Sequence, residues 1–229
     1  MMPHARCCRH TPTTQESHSV VVLSLGWFQE DLQAICSGTM AAELFQYFYH
    51  LTHVSNLRSI MARGIFSHTK VRRDRIGHRD ISDPAVQCWR SRAEPVYGHA
   101  VHDYAPLYLT PKNPMLYTRR AMQDEIVILC VATSVLDDTV HLFTDGNAAS
   151  RDTQFSNNSA VLRNAMRALK ALRWSDLPDG RRHRCAEVLV HEHVAPHFIE
   201  KIVCSNQRLA RHIQATLALQ ADVDSSIYF

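Results

Sequence analysis

The chain has 229 residues, is 45% hydrophobic and carries 25 Lys+Arg against 22 Asp+Glu, a formal charge of +3. This is enough to bury one real core, and the charge is too small to argue nucleic-acid binding from bulk composition. Seven cysteines without a CxxC pair do not form a disulfide or zinc framework, and no apolar run reaches the roughly 18 residues of a membrane helix. A reduced, cytoplasmic setting is the simplest account. Lys is nearly absent, so Arg carries the positive charge, and its planar fork suits phosphate-bearing ligands.

In chain order, residues 1–39 differ from the remainder of the chain, being rich in Ser, Thr, His and Cys, with one short apolar piece at Val20–Leu25. That piece is too short for a convincing signal peptide, and no small-residue cleavage site comes after it. The change in character suggests an extension upstream of a true start at Met40, with one domain over residues 45–229. Phe45–Leu51 reads as a strand ending at His50, followed by a short helix with Leu57, Ile60 and Met61 on one face. Ser55 or Asn56 would cap this helix and Gly64 would stop it, leaving His50, Thr52, His53 and the helix start around one corner. Lys70–Arg79 reads as a basic loop. Trp89-Arg90-Ser91-Arg92 interleaves an aromatic with arginines, a pattern that serves single-stranded nucleic acids but that a solvated loop also produces. Strands are expected near Pro106–Leu109, over Glu125–Val131 (buried on both faces) and over Val140–Phe143. Helices are expected over Ala160–Leu172 and Arg208–Leu219, with a polar loop at Trp174–Arg184. Asp145 is expected to form an Asx turn with Gly146.

Arg184-Cys185-Ala186-Glu187-Val188-Leu189-Val190-His191 sets a lone carboxylate inside an apolar strand bounded by Arg181, Arg182, His183 and Arg184. Glu187 is costly to bury unless a cation or hydrogen-bond donors meet it. It either pairs with a neighbouring Arg at a sheet edge or is a catalytic acid held in a cleft. His50 and His53 with His191 and His193 match no closed metal-site spacing, and no metal is expected. Tyr108 and Tyr117 read as core or wall aromatics.

Tyr49-His50-Leu51-Thr52-His53-Val54-Ser55-Asn56-Leu57, the segment from His102-Asp103-Tyr104 to Met115-Leu116-Tyr117, Phe143-Thr144-Asp145-Gly146-Asn147-Ala148-Ala149, and Ala186-Glu187 with the apolar strand after it form an ordered set. Together these four stretches resemble the DarT family of bacterial DNA ADP-ribosyltransferase toxins. The resemblance implies an α+β, compact ADP-ribosyltransferase-like (PARP-like) fold with a central mixed β-sheet core, few helices and long functional loops. It implies transfer of ADP-ribose from NAD+ to a base, thymine in the best-known branch, in single-stranded DNA, and a DarG-type macrodomain antitoxin as partner. It makes Glu187 the catalytic acid, with Arg90 or Arg92 as the functional arginine. His50 and Thr52 would hold the nicotinamide-side ribose and amide, and the NAD+-contacting set extends to Leu51, Asn56, Ser59 and Ser67. This chain lacks the family's glycine-rich GPGG loop and carries Lys112-Asn113 where Arg-Ser or Phe-Ser is usual. Two other readings stay open: an acceptor that is RNA, protein or water, and a non-catalytic nucleic-acid-binding module.

Overall fold

A computed structural model describes residues 44–229. The extension expected at residues 1–39 and the start at Met40 lie outside the described residues. Among the described residues, ten strands alternate with short helices. Eight strands form one sheet in the order β10-β9-β4-β1-β3-β7-β5-β6. They are β1 (Tyr47–His53), β3 (Tyr104–Tyr108), β4 (Ile126–Ala132), β5 (His141–Thr144), β6 (Phe155–Ser156), β7 (Glu187–His191), β9 (Ile199–Cys204) and β10 (Asp222–Val223). β2 (Ile65–Phe66) and β8 (His193–Val194) pair separately. Every pairing in the large sheet is antiparallel except β9 with β10, which makes it mixed.

The sheet follows the period-two pattern of its sequence. In β4, Val127, Leu129 and Val131 enter the main core, while Ile126, Ile128 and Cys130 pack into a second cluster on the opposite face. Both faces are covered, so the strand is apolar throughout. β7 places Val188 and Val190 in the main core, leaving Glu187 and Leu189 on the opposite face. β7 lies between β3 and β5, so Glu187 is on an interior strand and not at a sheet edge.

The seam between β1 and β3 is different. β1 pairs with β4 at seven positions but with β3 only at Tyr49–Tyr108. Beyond that pair the strands diverge, and His50 Nδ1 bridges the gap to the Pro106 carbonyl at 3.1 Å. Pro106 has no N–H for a ladder bond, which leaves its carbonyl to receive the ring.

Several local expectations are corrected. β1 runs on to His53 instead of ending at His50. The next turn is 3-10 over Val54–Asn56, capped by His53, before α1 (Leu57–Arg63), and neither Ser55 nor Asn56 caps α1 through its side chain. Gly64 does stop α1, with φ 92°, and a Cβ there would lie 2.1 Å from the Val194 carbonyl, so only glycine fits. The first half of the expected basic loop is α2 (His68–Arg73), because Ser67 Oγ accepts from Lys70 N and starts it. α3 (Pro84–Trp89) begins with Asp83 as cap and Pro84 in the first turn, and α4 (Pro114–Thr118) begins at Asn113. The helix expected over Ala160–Leu172 is a 3-10 segment over Ser159–Asn164 followed by α5 (Met166–Lys170). The expected loop before Glu187 contains a 3-10 turn at Trp174–Asp176 and α6 (Gly180–His183). α7 (Gln207–Leu217) packs Leu209, Ala210 and Ile213 onto the core. No helix among the described residues is long and apolar enough to cross a membrane.

Candidate active site

A cleft of about 360 Å³ opens along the β1/β3 seam. His50, Leu51 and Thr52 form one wall, Tyr104, Pro106 and Tyr108 the other, with Asn56 and Ser59 at the α1 end. Arg90, Asn147 and Cys185 also reach its surface. Arg92, Ser67 and Glu187 do not line it.

Glu187 lies behind Arg90, with 1% of its surface exposed. Arg90 Nη1 donates to Oε1 and Nη2 to Oε2, both at 3.0 Å, a fork-to-fork pair between residues 97 apart in sequence. The Ala148 backbone N–H adds a third bond to Oε1 at 3.0 Å, and the Glu187 N–H is held by Thr144 Oγ1 at 3.0 Å. A carboxylate has about four acceptor positions, so three are filled and one is left. Burial alone would lower the Arg90 pKa, but the Glu187 charge and hydrogen bonds outweigh it, and the guanidinium is held above its ordinary range. Tyr108, directly opposite Glu187 in the β3/β7 ladder, is pushed well up by burial and then by the acid's charge. The Cys185 thiol is pushed up to about 12 for the same two reasons. Both stay protonated, so Glu187 is surrounded by one cation and neutral groups.

Arg92 is placed elsewhere. Its Nη2 donates to the Ala148 carbonyl at 3.1 Å and to the Ser150 carbonyl, and its guanidinium lies 6.0 Å from the Phe155 ring centre. The structure therefore brings Arg90, and not Arg92, to the acid.

On the other wall, the Pro106 carbonyl only accepts, so His50 Nδ1 carries the ring proton and Nε2 is left as an acceptor. Burial lowers the His50 pKa, outweighing that bond, and keeps the ring neutral. Thr52 Oγ1 accepts from Asn56 Nδ2 at 3.0 Å, and its hydroxyl proton has no acceptor among the described residues. Asn56 is committed to structure, bonding the backbone of Arg79 through both Oδ1 (2.8 Å) and Nδ2 (2.9 Å). Ser59 accepts from Arg63, while Ser67, 1% exposed, caps α2. His53 is a satisfied buried histidine, bonded to Ser55 Oγ at 2.7 Å and Glu125 Oε2 at 2.8 Å. Among the described residues no group of three His, Cys, Asp or Glu could hold a metal ion.

Asp145 corrects a further expectation. Instead of an Asx turn with Gly146, its Oδ1 accepts from Gln154 N (2.9 Å) and from Arg182 Nη1 (2.7 Å), bracing the loop that carries Ala148. Sequence reasoning misses the Ala148 amide and the Thr144 hydroxyl as parts of the site, although both fall in the Phe143–Ala149 stretch.

His102 and His68 stack at 4.4 Å beside the cleft. Burial, then the charges of His68 and Arg90, hold the His102 pKa down to about 4. Its folded value lies below the unfolded 6.5, so this contribution to stability is present above pH 6.5 and lost as pH falls through about 4. Urea midpoints measured from pH 7.5 to 4 should fall for wild type, and more shallowly for His102→Gln.

The family described as "ssDNA thymidine ADP-ribosyltransferase, DarT" matches residues 49–229. The chain belongs to the DarT family. A Thermosipho africanus DNA ADP-ribosyl transferase–DNA ADP-ribosyl glycohydrolase fusion protein is 28% identical over 178 residues, which is 76% of this chain but 46% of that protein. The chain thus spans about half the length of that relative. A Thermus sp. (strain 2.9) DNA ADP-ribosyl transferase is 28% identical over 181 residues, covering 72% of this chain and 84% of the relative. The solved structure of Thermus sp. 2.9 DarT with ADP-ribosylated ssDNA superposes with a TM-score of 0.72 at 23% identity, over 80% of this chain and 96% of that one. That likeness bears out the expected α+β transferase fold. In this DarT-family chain the pair that the resemblance sets apart, Lys112-Asn113, has structural roles. Asn113 caps α4 and Lys112 Nζ donates to the Ser226 carbonyl at 3.1 Å.

Proposed function

We propose that the protein transfers ADP-ribose from NAD+ to thymine in single-stranded DNA, acting as the toxin of a toxin–antitoxin pair in the cytoplasm. Membership of the DarT family supports the reaction class, and the Arg90–Glu187 pair behind the cleft wall is the observation that carries the assignment of residues. The cleft fits the ribose and amide end of NAD+: it offers an acceptor at His50 Nε2 and a donor at the Thr52 hydroxyl, and behind its Arg90 wall stands an acid with one acceptor position left.

In the reaction the bond from ribose C1″ to the nicotinamide nitrogen breaks. Its electron pair leaves with nicotinamide, and positive charge grows on the sugar. Glu187 stabilises that charge and accepts a ribose hydroxyl proton in a hydrogen bond, the logic that carboxylates serve in sugar transfer generally. The base nitrogen then bonds to C1″ and gives up its own proton to solvent water. Arg90 stays cationic and is not the acceptor of that proton; it fixes both acid oxygens and meets negative charge entering the cleft. The fusion of transferase and glycohydrolase in the Thermosipho protein supports a partner that removes the modification, a DarG-type macrodomain antitoxin.

The test is incubation of the purified full chain with labelled NAD+ and separate pools of single-stranded DNA, RNA and protein. Label on thymine in DNA, located by mass spectrometry, is expected. Label confined to RNA or protein, or found only as free ADP-ribose, overturns the proposal.

A further inference from the structure

Arg92 does not touch Glu187, yet it grips the segment that does. Its Nη2 bonds the carbonyls of both Ala148 and Ser150, and the N–H of the same Ala148, a fully buried residue, bonds Glu187 Oε1. The carbonyls of Arg90 and Arg92 are in turn fixed by His102 N and Val101 N, each at 3.0 Å, so the two side chains leave one rigid segment. A second contact ties the same segments together: the Arg151 guanidinium lies 4.7 Å over the Trp89 ring. We propose that Arg92 is a positioning residue, holding the Ala148 amide against the acid that Arg90 holds directly. The two arginines thus clamp Glu187 from opposite ends of a single tripeptide, one by charge and one through a loop. The functional consequence rests on Glu187 being the catalytic acid, whereas the structural one does not.

The experiment pairs Arg92→Met, which keeps the stem and loses the donors, with Arg92→Lys, which keeps a cationic donor on a stem one atom shorter. Amide hydrogen exchange at Ala148 is expected to speed by about tenfold or more in Arg92→Met and to stay near wild type in Arg92→Lys. In steady-state transfer, kcat is expected to fall about tenfold in Arg92→Met with KM for NAD+ within about twofold, and Arg92→Lys to recover most of the loss. If Arg92→Met does not fold, Arg92→Gln replaces it and is expected to exchange at Ala148 faster than wild type and Arg92→Lys, with unchanged exchange again overturning the proposal. Unchanged Ala148 exchange in Arg92→Met overturns the proposal, as does an Arg92→Lys protein as impaired as Arg92→Met. If the wild type transfers nothing while Ala148 exchange still responds to Arg92, the positioning role stands and the proposed reaction falls.

Discussion

Exchange of Glu187 for Gln is expected to lower nicotinamide release and DNA labelling by about 10³-fold or more, because the isosteric amide carries no charge to balance the developing oxocarbenium ion. Gln can keep one oxygen for Arg90 Nη1 and the Ala148 N–H, but its amide nitrogen sets a donor against Arg90 Nη2, so one arm of the fork is lost. The fold will feel the change as well. Arg90 is 7% exposed and its charge loses its partner, so the variant should be less stable by roughly 3 kcal/mol, as when one member of a buried ion pair is removed. Comparing rates per folded molecule, with the folded fraction taken from circular dichroism, separates the two effects. A Glu187→Gln protein that releases nicotinamide at the wild-type rate removes Glu187 from the chemistry.

The second large effect is expected at Arg90. Arg90→Met leaves the Glu187 carboxylate 1% exposed with only the Ala148 N–H as donor, and stability should fall by roughly 3–5 kcal/mol, a large share of the 5–15 kcal/mol that holds a typical domain folded. The double variant Arg90→Met, Glu187→Leu removes both charges and should regain most of that loss while remaining inactive. Urea denaturation of wild type, Arg90→Met, Glu187→Leu and the double closes the cycle. A double variant no more stable than Arg90→Met would mean that the pair is not what costs the single variants their stability. Arg90→Lys tests the fork: one ammonium cannot reproduce two parallel bonds, so activity should drop although charge is kept.

How much of the molecule is legible in its sequence depends on whether the deciding contact is local. β4 and β7 are legible because runs of seven and five mostly apolar residues have few other uses at that length, and Glu187 stands out as a charge inside one of them. Gly64 as the stop of α1 is legible for a similar reason, as a backbone requirement written in one residue type. The choice between Arg90 and Arg92 is not. They are two residues apart in a stretch without periodicity, and the outcome depends on where α3 ends and on bonds to Val101 and His102. Asp145 reads as a local turn because Asp-Gly is a strong turn signal, but a guanidinium 37 residues later takes its oxygen. The Ala148 amide has no side-chain signature at all. A backbone donor becomes visible only when the loop around it is folded.

The narrow joint between β1 and β3 has one more consequence. The great sheet is mechanically two stiff leaves on a thin spine, with the histidine and threonine of the cleft on one leaf and the acid on the other. Across the spine the backbone is held by one residue pairing, and the side chains by the ring-to-carbonyl bond and by the main core, which runs from Phe48 and Leu129 on one leaf to Leu107 and Val188 on the other. The separation of acid and histidine is therefore set by the packing of that shared core, because no continuous ladder joins the two leaves.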